Sequence, residues 1–182
     1  MLQAISIGAP ASGPSGWTGY SGVWNSADKT AGTTLSLGDR LASAAAGNNS
    51  ARSTPALATK SWCNFIFMTN ADAFAGVANA TETLTNYPGQ TTNSIGFDGE
   101  DGNLYYNAGV IFDGAICSQY DQITIARNGV NYWFARNGVW FQGDPILGTS
   151  PFVTTISGDV YFMGPRNVDS ILMVALPTGF AP

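Results

Sequence analysis

Large and small side chains alternate through Asn131–Pro145, NYWFARNGVWFQGDP, and the alternation breaks at Arg136-Asn137-Gly138-Val139 before a second aromatic run leaves again. Asn-Gly between two apolar runs predicts a tight hairpin. A type I′ turn needs φ > 0 at both central residues, and these two residue types adopt it at little cost. Upstream, Ile123-Thr124-Ile125-Ala126 leads into Arg127-Asn128-Gly129-Val130, so the same device is expected twice and three strands form a β-meander. Within it Tyr132 and Phe134 share one face and Trp133 takes the other. The pattern leaves open which face is core.

Elsewhere the pattern predicts short strands and no amphipathic helix. Regular structure is expected to begin near Val23-Trp24-Asn25, with strands at Thr33–Leu37 and Leu41–Ala46 parted by Gly38-Asp39. Ala51–Leu57 reads as a strand that Pro55 demotes to a sheet edge, because proline cannot donate to a ladder. Trp62–Thr69 and Phe74–Ala78 read as strands, and Thr81–Thr92 as a long loop broken at Pro88-Gly89. Ser94–Phe97 and Leu104–Tyr106 flank an acidic turn, Gly109–Tyr120 fits no clean period, and Phe152–Thr155, Val160–Met163 and Ile171–Leu176 close the sheet. Residues 1–20 are rich in glycine and proline, so an extended arm is expected ahead of a sandwich over residues 21–182. Leu2, Ile5, Ile7 and Trp17 give that arm apolar anchors for assembly, on a neighbour or along the domain's own edge. Many short strands with regular turns predict an all-β sandwich or barrel.

Composition narrows the function. The 182 residues suit one domain with a two-sheet core. Charged residues are only 10%, against roughly 25% in ordinary globular chains. A surface of Gly, Ala, Ser, Thr and Asn suits a protein packed against others. With 12% aromatic residues the chain is not expected to be disordered. Net charge is −5 and the pI about 4.3, and the seven Lys and Arg form no cluster, which excludes the basic stripe that nucleic acid requires. No signal-peptide pattern and no run near ~18 apolar residues is seen, so a soluble chain made in a cytoplasm, without membrane insertion, is expected. Cys63 and Cys117 read as buried free thiols, with a single disulfide as the other possibility.

Candidate chemistry is sparse. The absence of histidine removes Ser/His/Asp and Cys/His triads and histidine zinc sites together. Gly96-Phe97-Asp98-Gly99 opens no helix and no Walker lysine follows, while Glu82, Glu100 and scattered aspartates suggest no paired-carboxylate groove. No enzyme is expected. Asp98, Glu100, Asp101 and Asn103 in one tight turn offer hard oxygen ligands that suit calcium. A solvated hairpin turn is the plainer alternative, since EF-hand spacing is missing, and no other cofactor is expected. Among the aromatics, Tyr87, Tyr120 and Trp140 fall on predicted loops and are the candidates for stacking on a ligand such as a sugar ring; the others are expected to fill the core.

The meander and its surroundings resemble the SPRY (B30.2-like) domain, particularly its bacteriophage and bacterial versions. The resemblance is carried by Ile123–Ala126, Asn128-Gly129, Tyr132–Trp140, Gly143-Asp144-Pro145 and Gly148, with Val23–Lys29 similar to the family's opening turn. Ser94–Phe97 and Ala175–Phe180 are similar to later segments. Two positions depart: Tyr120-Asp121 stands where the family usually has Gly-Asp, and Val160–Gly164 where aromatic-Pro-Ala is common. The resemblance implies a SPRY-like (concanavalin-like) antiparallel β-sandwich without shared catalytic residues, binding through loops at one end. Together with the arm and the small-residue surface it implies a bacteriophage virion component: a tail fibre, tail-tip or capsid appendage, homo-oligomeric and held to other virion proteins by the arm. The loops Thr81–Thr92, Phe112–Tyr120 and Pro145–Pro151 would then face a host cell-surface glycan or protein. The alternative is a decoration or cement protein of the capsid or tail that binds nothing outside the particle.

Overall fold

The computed structural model describes residues 16–69, 73–114, 116–167 and 169–174. Every regular element among them is a strand, and the strands form two sheets around a main core. The first sheet runs β13 (Val139–Trp140), β12 (Asn131–Arg136), β11 (Gln122–Asn128), β6 (Lys60–Phe67), β16 (Ser170–Val174), β4 (Leu41–Ala44) and β3 (Thr33–Ser36). Two short strands, β1 (Thr18–Gly19) and β14 (Phe152–Val153), pair with β6 and β12. The second sheet runs β10 (Gly109–Asp113), β9 (Asn103–Tyr106), β8 (Ser94–Asp98), β7 (Phe74–Asn79), β15 (Val160–Gly164), β5 (Ala51–Thr54) and β2 (Val23–Lys29). All pairings are antiparallel except β1 on β6.

Period-two alternation builds the core. Strand β6 turns Phe65 and Phe67 inward, β12 turns Tyr132 and Phe134, and the second sheet answers with Phe97 and Phe162. Phe65 meets Phe162 edge-on with ring centroids 4.9 Å apart. Burying each such ring contributes about 1.5–3 kcal/mol.

The meander forms as expected, but its turns differ. Arg136 pairs with Val139 around Asn137 (φ 50°) and Gly138 (φ 81°), both left-handed as a I′ turn requires. The first turn corrects the expectation. Asn128 pairs with Asn131, so its central residues are Gly129 and Val130. Only Gly129 has positive φ, at 63°, which is the sign pattern of a II′ turn. The register slides by one residue because the glycine is needed first. Pro55 corrects another expectation: β5 ends at Thr54, one residue before it, and pairs with both β15 and β2. The proline lies just outside the ladder and costs it no donor, so β5 is interior.

Both faces of β12 are buried. Trp133 points away from the main core into a second cluster with Trp17, Trp62 and Ala126, against which Trp140 packs. Trp17, assigned to the arm, therefore sits on its own sheet, edge-on to Trp133 at 5.8 Å with the Lys60 ammonium 5.4 Å from its ring centre. Strand β1 pairs with Ser61 and Trp62, the part of β6 that β16, pairing from Asn64 to Phe67, leaves open. Leu2, Ile5 and Ile7 lie outside the described residues.

The long loop after β7 folds across the outer face of the second sheet. Gly76 and Gly96 pair across β7 and β8, and a Cβ on either would collide with Pro88. Buried Glu82 fastens the loop: its carboxylate accepts from Ser94 Oγ at 2.7 Å, Asn86 Nδ2 at 2.7 Å and the Thr91 hydroxyl.

Two substitutions test this packing. Gly96→Val should cost about 2 kcal/mol by overpacking and lower Tm by roughly 4–8 °C; an unchanged melt would show that the loop does not rest there. Trp17→Ala should cost about 3 kcal/mol in denaturant unfolding, whereas a loss of only a few tenths would show that Trp17 is not part of the fold.

Candidate functional site

Strands β10 and β13 are edges of their respective sheets. Aromatic rings bridge them: Phe112 of β10 stacks on Phe141, just past β13, at 5.0 Å and 6°, and Phe141 leans on Phe97 at 5.0 Å. Beside this stack opens a cleft of about 410 Å³, lined by Phe112, Gly114, Arg136, Val139, Trp140 and Phe141. Ile111 is an extra residue between the pairs Val110–Tyr105 and Phe112–Leu104, a bulge that breaks the ladder at this edge.

One carboxylate ties the loop after β10 to the meander. Asp121 Oδ2 accepts the Ser118 amide at 2.8 Å and lies 3.5 Å from Arg136 Nε, while Oδ1 accepts from Asn137 Nδ2 at 2.7 Å. Arg136 also donates to the Ile116 carbonyl at 2.6 Å, and Asn137 Oδ1 accepts the Gln122 amide at 2.9 Å. Tyr120, standing where the SPRY pattern has glycine, takes φ 72° and is held by its amide on the Phe67 carbonyl at 2.7 Å. A left-handed non-glycine residue costs about 1–2 kcal/mol, so the surrounding bonds over-determine it.

The loop after β13 is equally built. Asp144 and Thr149 exchange backbone bonds, and Asp144 Oδ1 accepts the amides of Ile146 at 2.7 Å and Leu147 at 3.4 Å. The Trp133 indole N–H donates to the Thr149 carbonyl at 2.9 Å and pins the loop to the sheet. Pro145 is buried beneath, while Ile146 and Leu147 project at 62% and 74% exposure. Of ten exposed large hydrophobic side chains among the described residues, seven lie on β10, β13 and the loops that follow them: Val110, Ile111, Ile116, Tyr120, Val139, Ile146 and Leu147.

The expected site residues distribute unevenly. Trp140 lines the cleft, half-buried, and Tyr120 adjoins the Asp121 anchor, 44% exposed. Tyr87 lies elsewhere, packed on Phe74 at 4.9 Å and Tyr105 at 5.8 Å, with the Arg166 guanidinium 5.1 Å from its ring centre. The Thr81–Thr92 loop therefore belongs to the outer face of the second sheet and does not join the other two.

In the acidic turn, Asp98 Oδ1 accepts the Glu100 amide at 2.9 Å and Asp101 Oδ1 the Asn103 amide at 2.8 Å. The other Asp101 oxygen accepts the Tyr105 hydroxyl, which with burial pushes that phenol up to about 12. Among the described residues no three Cys, Asp or Glu side chains gather as a metal site requires. Sequence reasoning named the Pro145–Pro151 loop without singling out Ile146 and Leu147 at its tip, and it missed Asp121 and Arg136. The signal for the tip was present in Gly143-Asp144-Pro145, since an aspartate capping amides two and three residues on is turn chemistry.

Cys63 and Cys117 are free and buried. Burial pushes both thiols up, Cys117 to about 12. Neither should react with a disulfide reagent at pH 8 until the chain is unfolded; labelling of the native protein would contradict this burial. Because both thiols stay protonated in the fold, they favour it below the unfolded pKa of about 9, and that contribution falls between about pH 9 and 12.

No protein-family model matches the sequence, and no curated protein does. Solved structures do. The chain is similar to the SPRY domain of human HERC1, with TM-score 0.63 and 14% identity over 85% of this chain and 99% of that one. It is similar to the TRIM65 PSpry domain at TM-score 0.65 and 7% identity, over 87% and 92% of the two chains. Stonustoxin matches at TM-score 0.64 and 14% identity over 86% of this chain, which spans 27% of the toxin chain. Such low identities speak for architecture alone, and the architecture agrees: the chain has the two-sheet sandwich fold of SPRY domains.

Proposed function

We propose that the chain is a protein-recognition module without chemistry of its own, binding through the sheet edge around the cleft. The observation that carries this is that seven of the ten exposed large hydrophobic side chains among the described residues fall on β10, β13 and the loops after them, with Val139 in the wall of the cleft. Exposed apolar residues scattered singly mean little, whereas a gathered patch marks a contact surface. The SPRY-like fold supports the same class. Among the described residues Tyr120 is the one aromatic of the ten exposed large hydrophobics, so outside the cleft, whose wall carries Phe112, Trp140 and Phe141, the face suits an aliphatic protein surface. Calcium at Asp98–Asn103 has no part in this reading.

The finer part of the proposal is the setting: a bacteriophage virion component, attached through its N-terminal arm to other virion proteins and displaying the edge toward a host-surface protein. Its supports are the phage-type meander, the low charge and the apolar residues of the first segment. A cement role would use the same edge within the particle.

The test is cell binding by the protein clustered on beads, where many weak contacts add. Deletion should stop at Ser15, since Trp17 and Tyr20 are buried in the sandwich. The reading predicts binding that survives this deletion and drops at least about tenfold (~1.4 kcal/mol) with Val139→Asp. Binding unaffected by that substitution would remove the edge from the reading, and no binding to any cell would leave the cement role.

A further inference from the structure

We propose that Asn137 is a site of spontaneous chemical modification, at which loss of the side-chain amide unfastens the loop after β10 from the meander. The chemistry and its structural effect stand apart from the recognition reading, and only the consequence for binding rests on it.

Both turns of the meander carry an asparagine followed by glycine, Asn128-Gly129 and Asn137-Gly138. A glycine in second place has no Cβ to shield its peptide nitrogen, so that nitrogen can attack the side chain before it. It forms a bond to the asparagine Cγ, and the side-chain nitrogen departs as ammonia, taking the proton of the glycine N–H. Water then opens the cyclic imide at one of its two carbonyls and leaves aspartate or isoaspartate. The fold treats the two pairs differently. The Gly129 N–H donates to the Thr59 carbonyl at 2.9 Å, so the nucleophile of the first pair is engaged. In the second pair Asn137 and Gly138 are both exposed at the apex of the turn, and among the described residues no backbone carbonyl accepts from the Gly138 N–H. Only the hold on the asparagine side chain restrains the reaction there. Its Nδ2 donates to Asp121 Oδ1 at 2.7 Å and its Oδ1 accepts the Gln122 amide at 2.9 Å. Hydrogen bonds at an exposed turn open locally at little cost, and each opening frees the amide to react.

The product cannot keep the latch. An aspartate at this position still accepts the Gln122 amide, but its second oxygen takes the place of Nδ2, 2.7 Å from Asp121 Oδ1. Two carboxylates so close disfavour each other, and the donor that joined them is gone. The Arg136 guanidinium offers limited relief, since it already donates to the Ile116 carbonyl and lies 3.5 Å from the other Asp121 oxygen. Isoaspartate adds a main-chain carbon within a two-residue turn, against the pairing of Arg136 with Val139. Either product leaves Asp121 with the Ser118 amide and Arg136, and the loop with fewer ties to the meander. Arg136, Asn137 and Val139 all line the cleft, so the change falls within the recognition edge.

The experiment is storage of the native chain in warm, mildly alkaline buffer, followed over weeks by tryptic digestion and mass spectrometry. Cleavage after Arg127 and Arg136 places the two asparagines in separate peptides. The expected result is conversion at Asn137 severalfold faster than at Asn128, and faster still in Asp121→Ala. Asn137→Asp, the aspartate product made directly, should speed hydrogen exchange at the Ser118 amide severalfold while β11 and β12 stay protected, and should weaken cell binding by bead-displayed protein. No conversion at Asn137, or conversion at Asn128 as fast, would overturn the site. Unchanged exchange at Ser118 in Asn137→Asp would overturn its effect on the loop. A loosened loop with undiminished cell binding would count against the edge as the recognition face and leave the modification standing.

Discussion

Trp133 is the residue on which the rest of this edge depends. It occupies the outward position of a strand whose inward neighbours, Tyr132 and Phe134, are fully buried, and it is 1% exposed itself. A strand with large apolar side chains on both faces has to be covered twice. The second sheet covers the inner face. On the outer face Trp17 packs against Trp133, brought there by the parallel pairing of Thr18–Gly19 with β6. The indole N–H adds a further demand, since a buried donor without a partner costs about 1–3 kcal/mol. The Thr149 carbonyl meets it, so the chain between β13 and β14 must fold back onto the sheet.

That return path decides what the surface looks like. The loop closes on itself through Asp144 and Thr149, and its turn faces solvent with Ile146 and Leu147 at the apex. Next to it the two sheets meet through Phe112 and Phe141, a contact that leaves space on one side for the cleft. Packing in the interior thus sets both the exposed tip and the cleft, and the Asp121–Arg136–Asn137 bonds hold the loop after β10 to the meander.

Much of the architecture is legible in local chemistry. Strict alternation around Asn137-Gly138 fixed the strands of the meander, and the choice of turn residues fixed their order. Local chemistry misled where one residue type serves two ends. Asn128-Gly129 looks like the later Asn-Gly, yet only the glycine takes positive φ, so the turn shifts by one. Pro55 reads as an edge marker but terminates an interior strand. The site was only half legible. Trp140 and Tyr120 came to the edge, whereas Tyr87 was taken by Phe74 and Tyr105, because Gly76 and Gly96 let a loop lie flat on the other sheet. That convergence depends on which strands are neighbours in space, information that no short stretch of sequence contains.

The most direct check of this dependence is amide hydrogen exchange on Trp133→Phe, which keeps most of the ring and removes the N–H donor. The account predicts markedly faster exchange at the Thr149 amide and the Ile146 and Leu147 amides, with β6 and β11 still protected. Unchanged protection in the loop would show that it holds its place without the indole bond, and the link from buried strand to exposed tip would fail.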